Sequence, residues 1–502
     1  MARYSDFASS DEVVLVETDD FALVYDRQNR AFRKKRWDSS TKSWTTGWRA
    51  PYSAIVCKDD STVWAEDSSG KTIASGEAGV DDASVIQRTI DKVYNEGWGG
   101  KVVLKGTFDI YPATKYITIR NMNSIHLYGG KLIIHDYPDS WVYGIFVENS
   151  SNIVIEKLSM DANEVTAESG LGAGIVIRGS TNVIVKYCEL LNFRQFAMVI
   201  GSDAGQTTTN INILYNYITS KNIRDAIGSL SRGVEFSNVK IIGNTIIKSG
   251  KPGAAMTILG CPNLLIANNY CKGSIILGGE EGINEQFTIS NNIVRRTVDG
   301  TSTEIGVTSS SNGARDGIII DNQVDGQIYV WGYDDNTRAS DIWIVGNKTY
   351  GYEVYGIYSK YSDRIYIMLN EMKGTQYDLI LNNVKNSYVF FNKFTTVSLG
   401  YGTTNITFKH NIGYTTENSG AAAFSGDGTT TDFEIGAHGL VITDPSKIAV
   451  KVTPVSQDAI DASPCVGYVD PADNTKIRVK FSSAPASGSE NVKIVWYAEV
   501  IS

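Results

Sequence analysis

The sequence predicts an all-β chain whose central part is a solenoid of stacked β-strand coils, with a β-rich module before it and a β-sandwich after it. Three observations predict this class: an asparagine-centred phrase that repeats, short strands of period two within each repeat, and longer alternating strands after Gly420. Self-similarity at about 20–30 residues is the signature of a solenoid. A helical solenoid is disfavoured, because no repeat contains a helical period of about ten residues.

The repeated phrase is an aliphatic residue, two further residues, Asn, one residue, and then an aliphatic or aromatic residue. Its asparagine returns nine times in one frame: Asn216, Asn244, Asn269, Asn292, Asn322, Asn347, Asn370, Asn392 and Asn411. Cys188 and Leu158 occupy the equivalent place upstream. Because Asn tolerates the left-handed conformation and carries a stackable amide, we expect it to form sharp turns and an amide ladder between coils.

Residues 1–78 are predicted to form the N-terminal module, with strands at 21–25 and 53–57 and a hairpin turn at 66–71. The basic run at 30–37 stands out in an acidic chain. It is either a solvated strand or loop, or a surface that docks onto another protein. Residues 81–97 have apolar positions on one helical face, an acidic start and a glycine end. This pattern predicts a helix that caps the first coil.

Residues 79–417 are predicted to form the solenoid, and residues 418–502 the C-terminal β-sandwich. Aligning the first strands of five coils places one row outward on a common sheet: Phe146, Val176, Val199, Glu235 and Thr257. Glu235 is the one charge in a row of apolar or small residues. The sandwich is expected to cap the solenoid, to hold subunits together or to bind carbohydrate.

The composition limits the partners. A net charge of −9 argues against a nucleic-acid partner, whereas an anionic polymer would need a local basic groove. The five cysteines lack metal-binding spacing and are interpreted as small apolar fillers. No zinc spacing or phosphate loop is evident, so neither a metal nor a cofactor is expected. The start lacks a signal-peptide pattern, and no apolar run reaches membrane-spanning length, so no membrane partner is expected.

Over roughly residues 80–415, the coils resemble the right-handed parallel β-helix of the pectate-lyase superfamily, which includes phage tailspikes. The passage from the acidic pair through the helix to Gly99-Gly100 is similar to that superfamily's cap. The resemblance implies a polysaccharide partner, a homotrimer, and a place on a virion or an extracellular surface with attachment through the N-terminal module. The polygalacturonase motif is absent, and the histidines are expected to be structural: His126, His135, His410 and His438.

Charge concentrates in the longest predicted loops between coils, and these loops supply the catalytic candidates. Glycoside hydrolysis needs two carboxyl groups roughly 5–9.5 Å apart. The candidates are Asp161, Glu168, Asp225 and Glu235. Lyase chemistry needs a base and a cation that neutralises the uronate. Lys221 is the candidate base, and the candidate cations are Arg178, Arg194, Arg224 and Arg232. The alternative is that these are only the solvated charges of polar loops.

Tyr329, Trp331 and Tyr333 alternate along one predicted strand, and two further tyrosines occupy the next coil. Exposed aromatic rows stack on sugar faces, but they also form subunit interfaces. The first functional hypothesis is a tailspike-like endo-glycoside hydrolase that uses paired loop carboxylates. The alternatives are a polysaccharide lyase of the pectate or alginate type, and a non-catalytic glycan-binding adhesin or virion structural protein.

Overall fold

The computed structural model describes two compact units, residues 1–191 and 192–502. For the first four strands only the backbone is described. The residues outside the description are 1–11, 18–20, 27–30, 39–42, 47–51, 97–98, 113–114, 136–142, 163–172, 203–205, 222–224, 232–235, 250–252, 279–282, 298–302, 309–312, 443 and 502.

The first unit begins with a four-stranded antiparallel sheet and a second antiparallel set of three strands. The four strands are Glu12–Glu17, Phe21–Asp26, Ala31–Asp38 and Ser43–Thr46. The second set is Ala54–Lys58, Thr62–Asp67 and Thr72–Glu77. The predicted hairpin turn therefore lies between the last two strands. The basic run coincides with the strand Ala31–Asp38, which pairs on both sides.

The predicted capping helix is present at Asp82–Asn95 and buries its apolar face, including Val85, Ile86 and Ile90. Its expected acidic cap does not form, because the Asp81 carboxylate accepts a hydrogen bond from the backbone N–H of Glu77 instead. Lys58 holds the helix to the first coil: its ammonium lies 2.7 Å from the buried Asp82 and 2.6 Å from Asp109. Burying the open end protects the apolar core and strand edges from water.

Three parallel strands per coil form three sheets in the first unit. Sheet A, the first-strand sheet, contains Ile117–Arg120, Tyr143–Glu148 and Ala173–Arg178. Sheet B contains Lys101–Lys105, His126–Tyr128, Ser151–Glu156 and Thr181–Lys186. Sheet C contains Thr107–Ile110, Lys131–Ile134, Ser159–Asp161 and Glu189–Phe193.

The second unit repeats the same three-sheet plan. Sheet A contains Phe196–Ser202, Ile227–Ser231, Met256–Leu259, Ile275–Gly278, Glu304–Thr308, Gln327–Trp331 and Val397–Leu399. Sheet B contains Thr208–Leu214, Phe236–Ile242, Leu265–Ala267, Asn284–Glu285, Thr288–Ser290, Ala314–Ile320, Ala339–Val345 and Thr404–Lys409. Two long strands, Tyr355–Met368 and Tyr377–Phe390, pass through both sheets.

Sheet C of this unit contains Tyr217–Ser220, Thr245–Lys248, Tyr270–Lys272, Ile293–Arg295, Gln323–Val324 and Lys348–Thr349. Parallel pairing of successive coils within each unit confirms the predicted parallel β-helix. The core is aliphatic because alternate residues of every strand point inward. In sheet A, for example, Ile305, Val307, Ile328 and Val330 have no exposed surface.

The nine asparagines form the predicted amide ladder within the second unit. The side-chain amide of each donates to the Oδ1 atom of the next, over 2.9–3.1 Å, from Asn216 to Asn411. The same Oδ1 atom also accepts the backbone N–H of the preceding ladder asparagine. The ladder satisfies buried turn groups that would otherwise lose their water partners.

The expectation that the ladder asparagines adopt the left-handed conformation is wrong. The residue before each of them has a positive φ instead, as in Tyr215 at 55°, Gly243 at 69° and Leu369 at 58°. The sharp bend therefore lies one residue earlier, at an exposed corner where side chains vary. The asparagine itself points inward, where its amide has fixed partners.

After the coils, two three-stranded antiparallel sheets form the predicted C-terminal sandwich. One contains Glu417–Gly426, Gly488–Val500 and Ile448–Pro454, and the other Asp432–Ala437, Lys476–Phe481 and Cys465–Val469. A 3₁₀ turn, Pro445–Lys447, and a short helix, Gln457–Asp461, connect their strands. The shared core includes Val479, Phe481, Val492 and Ile494. None of the helices in the described ranges is long and apolar enough to cross a membrane.

All five cysteines are free thiols, as the sequence interpretation expects of small fillers. Three of them are buried in coils, and burial raises the pKa of Cys188, Cys261 and Cys271 to about 12. Neutral thiols of this kind are poor nucleophiles. These three cysteines therefore belong to the core packing, whereas Cys57 and Cys465 are half-buried.

Candidate active site

The candidate site lies on the outward face of sheet A in the second unit. In the strand Glu304–Thr308, Ile305 and Val307 point inward, so Glu304, Gly306 and Thr308 face outward. The next strand continues the face in register, with Gln327 beside Glu304, Tyr329 beside Gly306 and Trp331 beside Thr308. Two adjacent strands therefore present a carboxyl group, an amide and two aromatic rings on one surface.

Glu304 is a half-buried carboxyl group at the start of its strand. Its Oε2 atom accepts a hydrogen bond of 3.0 Å from Nε2 of Gln327. Burial raises the pKa of Glu304, the Gln327 bond offsets part of this rise, and the negative charge of Glu353 raises the pKa further. The pKa of Glu304 is thus raised, whereas the pKa values of Glu371 and Asp378 are lowered. Glu304 therefore keeps its proton to higher pH than an ordinary glutamate does.

Glu353 supplies a second carboxylate from the following coil. Its Oε1 atom accepts a hydrogen bond of 3.3 Å from the backbone N–H of Thr303, the residue before Glu304. The Cγ atom of Glu353 lies so close to Gly326 that a β-carbon added there would be 3.0 Å away. Glycine is required at position 326 mainly because the Thr303 carbonyl oxygen would lie 1.7 Å from a β-carbon there, and the Glu353 side chain packs against the same place. The two carboxyl groups thus share one local environment.

Tyr329 covers the backbone of the preceding strand. A β-carbon added at Gly306 would lie 2.2 Å from Cζ of the Tyr329 ring, so only glycine leaves room for the ring. Burial, and then the charge of Glu304, raise the pKa of the Tyr329 hydroxyl well above its usual value. Tyr329 therefore remains a neutral phenol that can donate a hydrogen bond beside Glu304.

Trp331 and Tyr333 extend the aromatic surface towards solvent, with 41% and 67% of their side chains exposed. The ammonium of Lys360 lies 4.7 Å from the centre of the Trp331 ring, in register with it on the next strand. Tyr358 lies beside Tyr329 on that same strand. Tyr329 and Trp331 therefore share the outward face of one strand, Tyr333 lies beyond its end, and Tyr329 is the ring beside Glu304. A substrate-binding role for the three rings stays a prediction.

The four predicted catalytic carboxylates lie elsewhere. Asp161 ends a strand of sheet C in the first unit, 3.4 Å from the Lys131 ammonium. Asp225 belongs to the second unit, where its Oδ1 atom accepts the backbone N–H of Ala254 at 2.6 Å. Glu168 and Glu235 lie outside the described residues. For these four residues a catalytic role stays a prediction.

The alignment that put Glu235 on the row of Val199 and Thr257 is wrong. Their partner on sheet A is Gly228 of the strand Ile227–Ser231, and the strand Phe236–Ile242 that follows Glu235 belongs to sheet B. The error has a physical cause. Both Ile227–Ser231 and the segment leading into Phe236–Ile242 have the alternating pattern of a strand, and the small residues of Ile227–Ser231 make its hydrophobic alternation the weaker of the two.

Two of the predicted cations can be placed. Arg178 forms an ion pair with Glu148, which also pairs with Arg120 at 2.5 Å, and both guanidinium groups lie over the Phe146 ring. Arg194 is not in a long loop, because only it and Gln195 separate the strands Glu189–Phe193 and Phe196–Ser202. Arg224 and Arg232 lie outside the described residues, and the candidate base Lys221 is exposed.

The four histidines are all engaged in contacts. His126 lies 3.0 Å from Glu156, and His135 lies 2.8 Å from Asp109 and stacks on Tyr111. His410 pairs with Glu417, and the buried His438 bonds to the backbone at Asn474 and Leu440. No cluster of three or more metal-binding side chains occurs in the parts of the chain that the structure describes.

Sequence reasoning missed Glu304, Gln327 and Glu353. The outward-row alignment stopped at Thr257, and its continuation places Gly306 and Tyr329 on the same row. The alternating pattern therefore could have identified Glu304, which lies two residues before Gly306 on the same face. The pattern could not have shown that Glu304 is half-buried, because its burial depends on residues of the following coils.

No family model and no curated protein matches the sequence. Solved structures do match. One is the tailspike protein of E. coli bacteriophage HK620 in complex with a pentasaccharide, with 12% identity, a TM-score of 0.50, and coverage of 87% of this chain and 92% of that one.

Two other similar structures are bacterial proteins. The Azotobacter vinelandii mannuronan C-5 epimerase AlgE6 A-module has 17% identity, a TM-score of 0.44, and coverage of 67% and 96%. The Streptococcus pneumoniae surface protein and adhesin PfbA has 13% identity, a TM-score of 0.46, and coverage of 67% and 96%. At these identities the likeness concerns the fold alone. The chain is an all-β parallel β-helix protein, with the fold of a phage tailspike protein.

Proposed function

We propose that this protein is a polysaccharide-degrading enzyme, an endo-glycoside hydrolase whose acid is Glu304. The observation that carries the proposal is a carboxyl group with a raised pKa on the outward face of a strand, beside the half-buried Tyr329 and on the same face as the exposed Trp331. A raised pKa at a site of this kind is typical of a general acid, since the group must keep its proton until it protonates the leaving oxygen. Structural carboxylates more often have lowered values, as Asp378 does.

Glu353 is the second carboxyl group of the proposed mechanism. Glycoside hydrolysis pairs a protonated acid with an ionised carboxylate that acts as base or nucleophile. The negative charge of Glu353 raises the pKa of Glu304, so ionisation of the one favours protonation of the other. Gln327 positions the Glu304 carboxyl group through its hydrogen bond. The hydroxyl of Tyr329 adds a neutral donor at the same place.

Trp331 and Tyr333 are proposed to hold the sugar chain by ring stacking, with Tyr329 at the reacting end. Aromatic rings bury the apolar faces of sugars at little conformational cost. The solenoid presents this surface over successive coils, which suits a polymer better than a single small molecule. The row predicted from the sequence as substrate-binding thus becomes the substrate surface of this site.

The earlier candidates remain part of the proposal as a second, separately testable set. Asp161, Glu168, Asp225 and Glu235 keep their predicted catalytic roles until substitution tests them, as do the arginines in the lyase alternative. Assembly as a homotrimer and attachment to a virion or cell surface through the N-terminal module are proposed from the tailspike resemblance.

A non-catalytic glycan-binding role is the second candidate function. The exposure of Trp331 and Tyr333 favours it, because a binding surface needs the rings and not the acid. The two functions separate in one experiment: a binder retains polysaccharide affinity and releases no products.

The test is incubation with a panel of neutral and acidic polysaccharides, with reducing ends and the ultraviolet absorbance of unsaturated uronates measured together. We expect reducing ends without absorbance, and a loss of at least about a hundredfold in Glu304→Gln. Glu285→Gln is the matched control, because this glutamate also lies on a β-helix strand but belongs to sheet B, where it pairs with Arg315. Both signals together would indicate a lyase, and unchanged activity in Glu304→Gln would refute the site.

A further inference from the structure

A pocket of about 710 Å³ lies on the second unit, next to the proposed site. Its volume is within the roughly 300–1,000 Å³ of small-molecule sites. Residues from several successive coils line it, among them Tyr350, Glu371, Lys373, Phe394 and Ile412. The segment that carries Glu353 also reaches it, since the backbone N–H of Thr375, a lining residue, donates to the Glu353 carbonyl at 2.8 Å.

The walls of this pocket are held in place without a ligand. The buried Asp378 carboxylate accepts the backbone N–H of Gly374 at 3.0 Å on one wall. On the other wall it accepts the N–H groups of Thr395 at 2.7 Å and Thr396 at 3.1 Å. Although burial alone would raise the pKa of Asp378, these hydrogen bonds lower it, so the carboxylate stays ionised. A pre-formed pocket spends less binding free energy on ordering its walls.

The pocket is locally basic in an acidic protein. Lys348 and Lys393 lie 2.8 Å and 2.9 Å from the single carboxylate of Glu371, and Lys373 adds a third ammonium. Three lysine ammonium groups therefore face two carboxylates in the pocket lining, those of Glu371 and of Asp378, which leaves a net charge of +1 from these five groups. Each ammonium has three donors. The lysines therefore keep donors and net positive charge for an anionic ligand.

The remaining lining is mixed: beside four threonines and Gln376 it contains apolar side chains. Ile412 is 67% exposed, and the Tyr350 ring lies 5.4 Å from the Lys348 ammonium. A ligand that meets both kinds of surface has one apolar face and one anionic group. A hexuronate has both, because its C–H face is apolar and its C6 is a carboxylate, whereas sulfate or a neutral hexose has only one.

We infer that this pocket is a distal subsite that binds a carboxylated sugar of the polysaccharide, an inference that rests on the proposed function. Its position beside the Glu353 segment places it on coils that follow the one carrying Glu304. A subsite here would anchor an acidic polymer away from the bond that is cleaved. It also resolves the apparent conflict between an anionic substrate and a chain with a net charge of −9.

The test is calorimetric titration of the full-length protein with sodium glucuronate, with glucose and sodium sulfate as separate ligands. We expect glucuronate to bind at least about fivefold more tightly than either, and binding to weaken as salt is added. Lys373→Gln and Lys393→Gln are each expected to weaken glucuronate binding by about threefold to fivefold. Lys451→Gln is the matched control, an exposed lysine paired with Glu499 in the C-terminal sandwich.

Equal affinity for glucose and glucuronate would overturn the inference. So would a loss of glucuronate affinity in Lys451→Gln as large as that in Lys373→Gln and Lys393→Gln. Sulfate that binds as tightly as glucuronate would reduce the pocket to a simple anion site and overturn the sugar assignment. Titrating Glu304→Gln with glucuronate, together with the cleavage assay, separates the two proposals. If the wild type binds glucuronate but cleaves no polysaccharide, the proposed hydrolase activity is refuted and the subsite stands. If the wild type cleaves polysaccharide in a Glu304-dependent way but does not bind glucuronate, only the subsite is refuted.

Discussion

Replacing Asn322 by Ala tests the amide ladder on which the coils depend. The Asn322 side chain accepts the backbone N–H and the Nδ2–H of Asn292, and it donates to Asn347 Oδ1 at 2.9 Å. The substitution leaves the buried N–H of Asn292 without that acceptor, at a cost of about 1–3 kcal/mol, and removes hydrogen bonds worth about 0.5–1.5 kcal/mol net. We expect a loss of about 2–4 kcal/mol in unfolding free energy.

Urea unfolding followed by circular dichroism measures the loss, and hydrogen exchange of the Asn292 amide locates it. Asn212→Ala is the control, because this half-buried asparagine lies on the outer face of sheet B and should change stability by no more than about 0.5 kcal/mol. Because each coil contacts only its neighbours, faster exchange should be confined to the coils around Asn322. Equal effects of the two substitutions, or an unchanged Asn292 amide, would refute the ladder as a source of stability.

Three further predictions concern individual side chains. The pKa of Glu304 is higher in the folded than in the unfolded protein, so the protonated side chain stabilises the fold at low pH. This stabilisation is lost as pH rises from the unfolded pKa through the folded pKa. Over that pH interval Glu304→Gln should therefore gain thermal stability relative to the wild type. Glu371 has a pKa lowered to about 2 by Lys348 and Lys393, so Glu371→Gln should cost under about 1 kcal/mol at neutral pH, with the difference vanishing in thermal melts as pH falls from about 4.5 towards 2. Gly306→Ala should displace the Tyr329 ring and lower stability by about 1–3 kcal/mol, and no further penalty should appear when Tyr329→Ala is already present.

The fold could be predicted from the sequence because the signals that specify it are local and repeated. Alternation marks the strands of successive coils, and from Asn216 onward one asparagine per coil marks the inward turn, so a single coil with a weak pattern does not hide the repeat. The position of the left-handed bend was mispredicted, since Tyr215, Gly243 and Leu369 have no residue type in common. An exposed corner accepts many side chains, so its conformation leaves little trace in the sequence.

The candidate site could be predicted only in part. The aromatic row of Tyr329, Trp331 and Tyr333 was visible, because alternation assigns all three to one region of one strand. The raised pKa of Glu304 was not visible, because it arises from burial and from Glu353 in another coil. The pocket at Glu371 was equally hidden, since residues from several coils line it. A site formed by residues from several coils leaves no recognisable motif in the sequence.

The measurement that tests the account most directly is cleavage of a polysaccharide panel by the wild type, Glu304→Gln and Glu285→Gln. Reducing ends, unsaturated uronates and polysaccharide binding should be recorded in the same samples. We expect reducing ends from the wild type and from Glu285→Gln, and polysaccharide binding without cleavage from Glu304→Gln. Full cleavage by Glu304→Gln would contradict these expectations, and so would wild-type binding without any product from the polysaccharide that is bound.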